Sequence, residues 1–328
     1  MAIPRVVRAM YTDTRKGLVE QRKLGRTELH TSVLGFGTSP LGDVYGATDP
    51  AEATRAVHMA IEQGINFFDA SPYYGLQLAE QRLGEMLVGK RDKIILASKV
   101  GRYGLNEFDF SAKRITASID ESLKRLKTDH LDLVQAHDVE FGDLQQIVEE
   151  TVPALRKIQA VGKARFVGIT GYPPKFLTRI AIQVPVDTIL SYCHYNLLTT
   201  NMDDSLTPFA RENSIGLINA SALHMGVLTE RGAPGWHPAA REVHLASRKI
   251  VEICSRYGES VSAVSIRFCL DHPYVASTLV GMATQAEVQA NLELLQVKSD
   301  PTLLAEIRSA VASAFDMDWP SGKPENNG

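Results

Sequence analysis

Short apolar runs recur along the chain, and longer segments with apolar residues at helical spacing separate them. The runs are rich in Ile, Val, Leu and Phe and do not alternate with polar residues, which is typical of strands buried on both faces of a parallel sheet. The pattern therefore predicts parallel strands with helices between them. The eight predicted strands are residues 33–37, 65–69, 94–99, 131–137, 164–170, 188–192, 216–220 and 276–280.

Two of the intervening segments carry clear helix signals. In residues 111–126, apolar side chains recur at helical spacing behind Ser111, whose hydroxyl suits the N-cap position. Asp49-Pro50 opens another helix, which ends at Gly64, because proline suits the first turn of a helix and glycine its C-terminus. Both helices fall between predicted strands, as a repeating strand–helix unit requires.

Eight strands separated by helices form either an open doubly wound sheet or a closed barrel. An open sheet that binds a dinucleotide is expected to carry G-x-G-x-x-G after its first strand. Here the first strand ends in Gly35-Phe36-Gly37-Thr38-Ser39-Pro40, which lacks the third glycine and has a proline where the helix would begin. We therefore predict an α/β fold, a (β/α)8 TIM barrel, in one domain spanning residues 1–328.

Two segments fall outside the strand–helix repeat. Residues 18–34 predict a hairpin around Gly25-Arg26-Thr27, and a hairpin that precedes the first barrel strand can cover the bottom of the barrel. A long connection follows Met225; it contains Gly235-Trp236-His237-Pro238 and then two helical patterns. Long barrel loops are usually functional, and we expect extra helices toward the C-terminus.

Composition narrows the class of protein. Hydrophobic residues make up 44% of the chain and charged residues 22%, which indicates an ordinary globular protein with a sizeable core. The net charge of −3 argues against a nucleic-acid-binding protein. Cys193, Cys254 and Cys269 are too few and too scattered for a disulfide framework, so we expect a reducing, cytoplasmic location.

Neither end of the chain predicts a membrane or secretory segment. No stretch approaches the ~20 apolar residues of a membrane span. Residues 1–18 are basic but lack the apolar centre of a signal peptide, and we expect them to form a flexible tail. Residues 320–328 have the composition of a second flexible tail.

Chemically versatile side chains stand at the ends of successive predicted strands. Asp69, Lys99 and His137 end the second, third and fourth strands, and Tyr74 follows Asp69 in the next loop. Active sites of such barrels lie at the carboxyl ends of the strands, and neighbouring strands are only ~4.8 Å apart. We therefore expect these four side chains to converge.

The four residues suit proton transfer. A tyrosine with a pKa of ~10 is a poor base near neutrality, but a neighbouring ammonium group favours its phenolate form. Asp69 can hold Lys99, and His137 can bind the substrate oxygen, so the set can move a proton while a hydride moves elsewhere. Taken singly, each residue also has a structural interpretation, such as a plain ion pair. We predict no metal site, since His237 and His244 lack further ligands nearby.

Six short motifs surround or precede these strand ends: Phe68-Asp69-Ala70-Ser71-Pro72-Tyr73-Tyr74-Gly75, Ala97-Ser98-Lys99-Val100, Gln135-Ala136-His137-Asp138, Leu24-Gly25-Arg26-Thr27, Leu34-Gly35-Phe36-Gly37-Thr38 and Leu123-Lys124-Arg125-Leu126-Lys127-Thr128-Asp129. Over about residues 20–296, the chain with these motifs resembles the aldo-keto reductases. In that family a tyrosine is the general acid or base, with lysine, aspartate and histidine as partners. The resemblance assigns these roles to Tyr74, Lys99, Asp69 and His137, with Tyr73 as the competing tyrosine.

The same resemblance implies a nicotinamide cofactor bound across the top of the barrel. Thr38 is expected near the nicotinamide, Ser221 and Leu223 at the pyrophosphate, and the segment 281–291 at the adenosine. The cofactor-binding residues implied are Gly37, Thr38, Asp69, Thr170, Tyr192, Ser221, Leu223, Gly281, Thr284, Glu287 and Asn291.

The sequence departs from the common family pattern at three of these positions. The family's Ser-Asn after the fifth strand is Thr170-Gly171, and its glutamine on the sixth strand is Tyr192, which can stack on the nicotinamide ring. Glu287 stands where the family often has an arginine for the 2′-phosphate of NADP. A carboxylate repels that phosphate and can accept a bond from a ribose hydroxyl, so we predict NAD as the cofactor.

Further segments, among them Gly235-Trp236-His237-Pro238-Ala239, are similar to a sugar-oxidising branch of the family. The similarity implies oxidation of an aldose at C1 by NAD, with L-galactose as the leading substrate. A broader aldose dehydrogenase, an NADPH-dependent carbonyl reductase and a non-catalytic cofactor-binding subunit are the alternatives, and the sequence leaves monomer or dimer open. The expected substrate-binding residues are Tyr45, Tyr103, His137, His194 and Trp236.

Overall fold

A closed barrel of eight parallel strands forms the centre of the molecule, which a computed structural model describes over residues 19–327. After two short strands of a hairpin described below, the barrel strands are β3 (Leu34–Gly37), β4 (Phe67–Asp69), β5 (Ile95–Val100), β6 (Leu131–Ala136), β7 (Ala164–Gly171), β8 (Thr188–Tyr192), β9 (Gly216–Ala220) and β10 (Ser277–Gly281). Strands β3 to β9 are neighbours in chain order, and β10 closes the barrel between β9 and β3. The predicted strands and the barrel are confirmed.

The helices surround the barrel, and both predicted helix starts are observed. The Ser111 hydroxyl accepts from the Arg114 N–H at 3.3 Å, and the Asp49 carboxylate accepts from the Ala51 N–H at 3.0 Å. The helices are α1 (Pro50–Glu62), α2 (Leu78–Met86), α3 (Ala112–Leu126), α4 (Leu144–Gln146), α5 (Val152–Ala160), α6 (Pro174–Gln183), α7 (Met202–Glu212), α8 (Arg241–Arg256), α9 (Val261–Leu270), α10 (Gln285–Leu294) and α11 (Pro301–Ala310). A π-helical turn, Ile147–Thr151, joins α4 to α5.

Burial on both faces explains why the barrel strands do not alternate in polarity. In β6, Leu133 packs inside the barrel, while its neighbour Val134 packs outward beneath the helices. In β5, Ala97 likewise packs inside the barrel and Leu96 packs outward. Because both surfaces of each strand meet apolar partners, the strand reads as a continuous apolar run.

A two-stranded hairpin covers the bottom of the barrel, as predicted. Its strands are β1 (Gln21–Lys23) and β2 (His30–Ser32), which pair antiparallel. Leu24, between them, is fully buried among the side chains that fill the barrel interior. Gly25 has φ +56°, and a Cβ there would lie 2.1 Å from the backbone nitrogen of Gly216, so the close approach requires glycine.

Residues 320–327 do not extend as the expected free tail. They return to the loop after β6, where the Asn326 amide donates to the carbonyl oxygens of Glu140 (2.8 Å) and Gly142 (3.0 Å). Asn326 itself is buried. The other expected tail, residues 1–18, and residue 328 lie outside the described residues.

Over the described part of the chain, no helix is both long and apolar enough to span a bilayer. Within the same residues, no group of three or more His, Cys, Asp and Glu side chains is arranged to hold a metal ion. The three cysteines are buried thiols.

Candidate active site

Asp69, Lys99, Tyr74 and His137 meet at the carboxyl ends of β4, β5 and β6. Asp69 is the last residue of β4, Lys99 lies near the end of β5, and His137 directly follows β6. The Lys99 Nζ atom lies 3.1 Å from the Tyr74 hydroxyl oxygen. Three consecutive parallel strands thus bring the four side chains together, as the strand-end positions predicted.

Lys99 is the centre of this cluster. Its buried ammonium group donates to the Asp69 carboxylate, to the Ala70 carbonyl oxygen at 3.0 Å and to Tyr74. The second Asp69 oxygen accepts from the Gln135 amide at 3.2 Å. Burial by itself lowers the pKa of Lys99, but the attraction of Asp69 and Tyr74 outweighs burial and raises that pKa above its usual value. Lys99 is therefore a permanent cation beside the Tyr74 oxygen.

The pKa of Tyr74 differs from the expectation. Burial raises the pKa of this hydroxyl, and the Lys99 charge lowers it again but does not cancel the burial, so the net pKa lies above its usual value. Before any ligand binds, Tyr74 is accordingly a protonated phenol at neutral pH. Lys99 lowers the free energy needed to form the phenolate, but the protonated form of Tyr74 remains the more stable one.

His137 is a neutral imidazole. Burial lowers its pKa well below the usual value, and the nearby positive charges of Lys99 and Arg102 lower it further. The Ser71 hydroxyl lies 3.0 Å from Nδ1 and accepts from the Tyr73 N–H at 3.1 Å. We assign the Ser71 proton to the bond with Nδ1, which leaves the imidazole proton on Nε2, available to a substrate oxygen.

An ion pair that the sequence analysis missed flanks His137. Arg102, in the loop after β5, pairs with Asp138, whose carboxylate lies 3.7 Å from the His137 Nε2 atom. The Arg102 guanidinium also stacks 3.8 Å above the ring of Tyr73. The sequence motif could have predicted a charged neighbour for His137, because Asp138 directly follows it. Strand alternation also places Gln135 on the same inner face as His137.

Some of the predicted cofactor residues belong to the inner ring at the top of the barrel. Tyr192 lies two positions beyond Leu190 and Gly281 two positions beyond Leu279, both residues of the barrel interior, so alternation turns them inward. Gly37 and Gly281 are paired in register, and a Cβ on Gly281 would come within 3.0 Å of Pro40. Gly37, Tyr192 and Gly281 are exposed at least in part, so this surface, which we call the cradle, can receive the nicotinamide cofactor that the sequence predicts.

Four further predicted cofactor residues lie close to that ring. The buried Thr38 hydroxyl donates to the Asp69 carbonyl oxygen at 2.9 Å, and Thr170 is buried near the end of β7. Ser221 directly follows β9 with φ +59°, and Leu223 lies two residues later. They extend the cradle over the ends of β3, β7 and β9.

Two carboxylates occupy the N-terminus of α10, the expected adenosine end of the site. Glu287 accepts from the backbone N–H groups of Ala283 (2.8 Å) and Thr284 (3.0 Å), and Thr284 caps the helix in return. Glu52, from α1, accepts from the Gln285 N–H at 2.9 Å. Glu287 is thus engaged with the backbone, whereas we expected it to accept from a ribose hydroxyl. Asn291 is buried one turn further along α10.

The structure separates the expected substrate-binding residues. Tyr45 and Trp236 are exposed on loops, at 53% and 58% of their surface. His194 is buried, with Nδ1 2.7 Å from the Asn201 amide oxygen. Tyr103 is buried as well: its hydroxyl accepts from the Gly101 N–H at 3.1 Å, and Arg114 of α3 stacks 4.0 Å from its ring. Tyr103 therefore holds the loop after β5 and is not presented to a substrate.

A row of aromatic side chains that the sequence analysis missed stands beside the cradle. The ring of Tyr172, just after β7, lies 5.5 Å from that of Tyr192 and 4.5 Å from that of Trp319. The backbone N–H of Trp319 donates to the Tyr172 hydroxyl at 3.3 Å. No local pattern predicts this row, because Trp319 comes from the segment that we expected to be close to a free end.

Comparison with known proteins assigns this architecture to a family. The model of the Aldo/keto reductase family matches residues 33–312. The chain belongs to this family. It is therefore an oxidoreductase of a family that uses nicotinamide cofactors.

The relatives include two sugar dehydrogenases. L-galactose dehydrogenase from Arabidopsis thaliana is 43% identical over 318 residues, which cover 94% of this chain and 99% of that protein. D-threo-aldose 1-dehydrogenase from a Pseudomonas species is 30% identical over 306 residues, 84% of this chain and 93% of that protein. Among solved structures, the holo form of aldo-keto reductase AKR11C1 from Bacillus halodurans superposes with a TM-score of 0.76 at 25% identity, covering 94% of this chain and all of that one. These similarities support a sugar dehydrogenase.

Proposed function

We propose that this protein is an NAD-dependent aldose 1-dehydrogenase that oxidises L-galactose at C1 to the lactone. The observation that carries the proposal is the contact between the Lys99 ammonium and the Tyr74 oxygen, 3.1 Å apart, beside a neutral His137. The substrate class is supported by the similarity to L-galactose dehydrogenase, at 43% identity, and to D-threo-aldose 1-dehydrogenase, at 30% identity.

The residues divide the work of removing a proton and a hydride from an anomeric carbon. Tyr74, as the phenolate, takes the proton of the C1 hydroxyl, and Lys99 stabilises the negative charge of that phenolate. His137 donates from Nε2 to the C1 oxygen and orients it. A nicotinamide held in the cradle would supply the hydride acceptor, and its positive charge would favour the Tyr74 phenolate. Loss of the hydroxyl proton to Tyr74 and of the hydride from C1 would convert the C1–OH group into the carbonyl of the lactone.

The N-terminus of α10 supports NAD as the cofactor. Its backbone donors would attract a phosphate, but Glu52 and Glu287 already accept from three of them. A 2′-phosphate at this place would meet two negative charges and no unoccupied donor among these three. NAD has a 2′-hydroxyl instead of the phosphate, so it suffers no charge repulsion from Glu52 and Glu287 and needs no free backbone donor for a phosphate.

The test is to follow the absorbance of reduced nicotinamide with purified protein, NAD and four sugars: L-galactose, L-fucose, D-arabinose and D-galactose. We expect the highest kcat/KM for L-galactose with NAD and little turnover with NADP. Tyr74→Phe is the matched control, which removes one oxygen and should bind NADH normally. Near-normal turnover by Tyr74→Phe would contradict the mechanism.

The similarity to D-threo-aldose 1-dehydrogenase favours a second candidate, a broader aldose dehydrogenase. L-Fucose and D-arabinose share the C2–C4 configuration of L-galactose, so a pocket that does not contact C6 accepts all three. Equal kcat/KM for these three sugars would establish the broader activity. Tight NADH binding without turnover of any aldose would instead indicate a carbonyl reductase or a non-catalytic subunit.

A further inference from the structure

Glu140 is a buried carboxyl group beside the candidate active site that the proposed mechanism does not use. It lies in the short helical turn Val139–Phe141 after β6 and is fully buried. Its Oε1 atom accepts from the Tyr192 hydroxyl and from the Ser321 hydroxyl, each at 3.1 Å. One side chain thus joins the last residue of β8 to the C-terminal end of the described chain.

The backbone of Glu140 binds the same C-terminal segment, residues 319–327, which we call the C-terminal clamp. The Glu140 carbonyl oxygen accepts from the Lys323 N–H at 2.9 Å and from the Asn326 amide at 2.8 Å. Gly322 has φ +73°, and a Cβ there would lie 2.2 Å from that carbonyl oxygen. Only glycine allows this close approach, so the clamp packs directly against the backbone of Glu140.

The other carboxyl oxygen of Glu140 points toward Gly171. A Cβ on Gly171 would come within 2.6 Å of Oε2, so Glu140 occupies the room that a side chain at position 171 would need. Within residues 19–327, this oxygen has no hydrogen-bond partner. Burial, followed by repulsion from Asp138, raises the pKa of Glu140 to about 8, so the group is an uncharged acid at neutral pH.

We propose that Glu140 is a positioning residue that couples docking of the C-terminal clamp to the placement of the Tyr192 ring in the cofactor cradle. The proposal rests on the placement of Tyr192 beside the nicotinamide in the proposed function. The clamp reaches Tyr192 by two routes: through the Glu140 carboxyl, and through the ring of Trp319, which lies 4.5 Å from that of Tyr172, the neighbour of Tyr192. Releasing the clamp therefore loosens Tyr192, the side chain against which the nicotinamide ring would stack.

The first experiment measures NADH binding by fluorescence titration without any sugar, so it does not depend on turnover. Glu140→Ala removes the acceptor of the Tyr192 hydroxyl, and Asn326→Ala releases the clamp without altering the carboxyl. We expect each to weaken NADH binding about ten-fold, the usual cost of leaving one buried polar group unpaired. Glu140→Gln keeps Oε1 as an acceptor and is uncharged like the native acid, so its affinity should stay within about two-fold.

The matched control within the clamp is Glu325→Ala, because Glu325 is an exposed neighbour of Asn326 and should leave NADH binding unchanged. Unchanged NADH binding in folded Glu140→Ala or in Asn326→Ala would overturn the coupling. An effect of Glu325→Ala as large as that of Asn326→Ala would also overturn it, since it would show a general response to changes in the segment. Circular dichroism confirms that each variant is folded.

A second measurement follows the clamp itself. The chain has two tryptophans, so in a Trp236→Phe background the fluorescence comes from Trp319. We expect NADH to protect Trp319 from acrylamide quenching, and Asn326→Ala to abolish the protection. Quenching that NADH does not change would overturn the proposal even if Glu140→Ala failed to fold. If no aldose is oxidised while the protection persists, the proposed function fails and the coupling stands.

Discussion

Across the mouth of the barrel, the half formed by β4, β5 and β6 is filled with buried charge, whereas β8, β9, β10 and β3 end in partly or fully exposed residues and form what we call the open half. In the first half, Asp69 and Lys99 are 1% exposed and are bound to each other. In the second half, the last strand residues Gly37, Tyr192 and Ala220 are partly exposed and Gly281 is exposed. The chemical groups are thus held by one another, whereas the cradle faces solvent.

The difference has an energetic consequence. Breaking a buried ion pair strongly lowers the free energy of unfolding, because the remaining charge has no partner. A substitution on the exposed cradle breaks no such pair, so it should change ligand affinity more than stability. Substitutions in the charged half should therefore affect both catalysis and folding. Substitutions around the cradle should affect chiefly affinity.

The largest expected effect lies in the charged half. Tyr74→Phe removes the hydroxyl that we assign to carry the proton, and we expect kcat to fall by ~10²- to 10⁴-fold, the usual contribution of general acid–base catalysis. NADH affinity should stay within about two-fold because the ring is retained. The measurement is steady-state turnover together with fluorescence titration of NADH. If NADH affinity fell by the same factor as kcat, the separation of catalysis in the charged half from cofactor affinity in the open half would be wrong.

Breaking the ion pair should cost stability. Lys99→Met leaves the Asp69 carboxylate buried and unpaired, and we expect the free energy of unfolding to fall by about 3–5 kcal/mol. The double variant Lys99→Met/Asp69→Asn is the control, since it removes both charges, and it should recover much of that loss. Urea denaturation measures both. Equal stabilities for the single and the double variant would show that the pair does not hold this half together.

The pH dependence follows from the raised pKa of Tyr74. Sugar oxidation needs the phenolate, and burial raises the pKa of this hydroxyl above its usual value, so kcat/KM should rise with pH through the neutral and into the alkaline range. Below the pKa, the increase should be about ten-fold per pH unit. The pH profile of L-galactose oxidation tests this, with aldehyde reduction, which needs the protonated form, falling as the pH rises. A flat oxidation profile would contradict the assignment of Tyr74 as the base.

The smallest expected effect lies at the far edge of the open half. Glu52→Gln combined with Glu287→Gln removes the two negative charges at the start of α10, and NADPH should bind about five-fold more tightly, as charges near a helix N-terminus act modestly. NADH affinity should change little. Parallel titrations of NADH and NADPH make the comparison, and an equal gain for both cofactors would exclude a 2′-phosphate effect.

Much of the charged half was predictable because its residues are close in sequence to strand ends. Alternation and the strand-end rule turn Asp69, Lys99 and His137 toward one point in any parallel barrel of this register. The loop after β4 is short, so Tyr74 cannot lie far away. The net pKa of Tyr74 was not predictable, since it depends on how completely the surrounding side chains exclude water.

By itself, the sequence determined the strand–helix order, the closed barrel, the hairpin below it and the family. Each of these follows from apolar periodicity or from a contiguous motif. Only the tertiary structure decided that Tyr103 serves the fold and that Glu52 joins Glu287 at α10. It also decided that Trp319 and Asn326 return to the active-site face. The physical reason is the same each time: these contacts join residues far apart in the chain, and local patterns carry no information about which distant backbone will pack there.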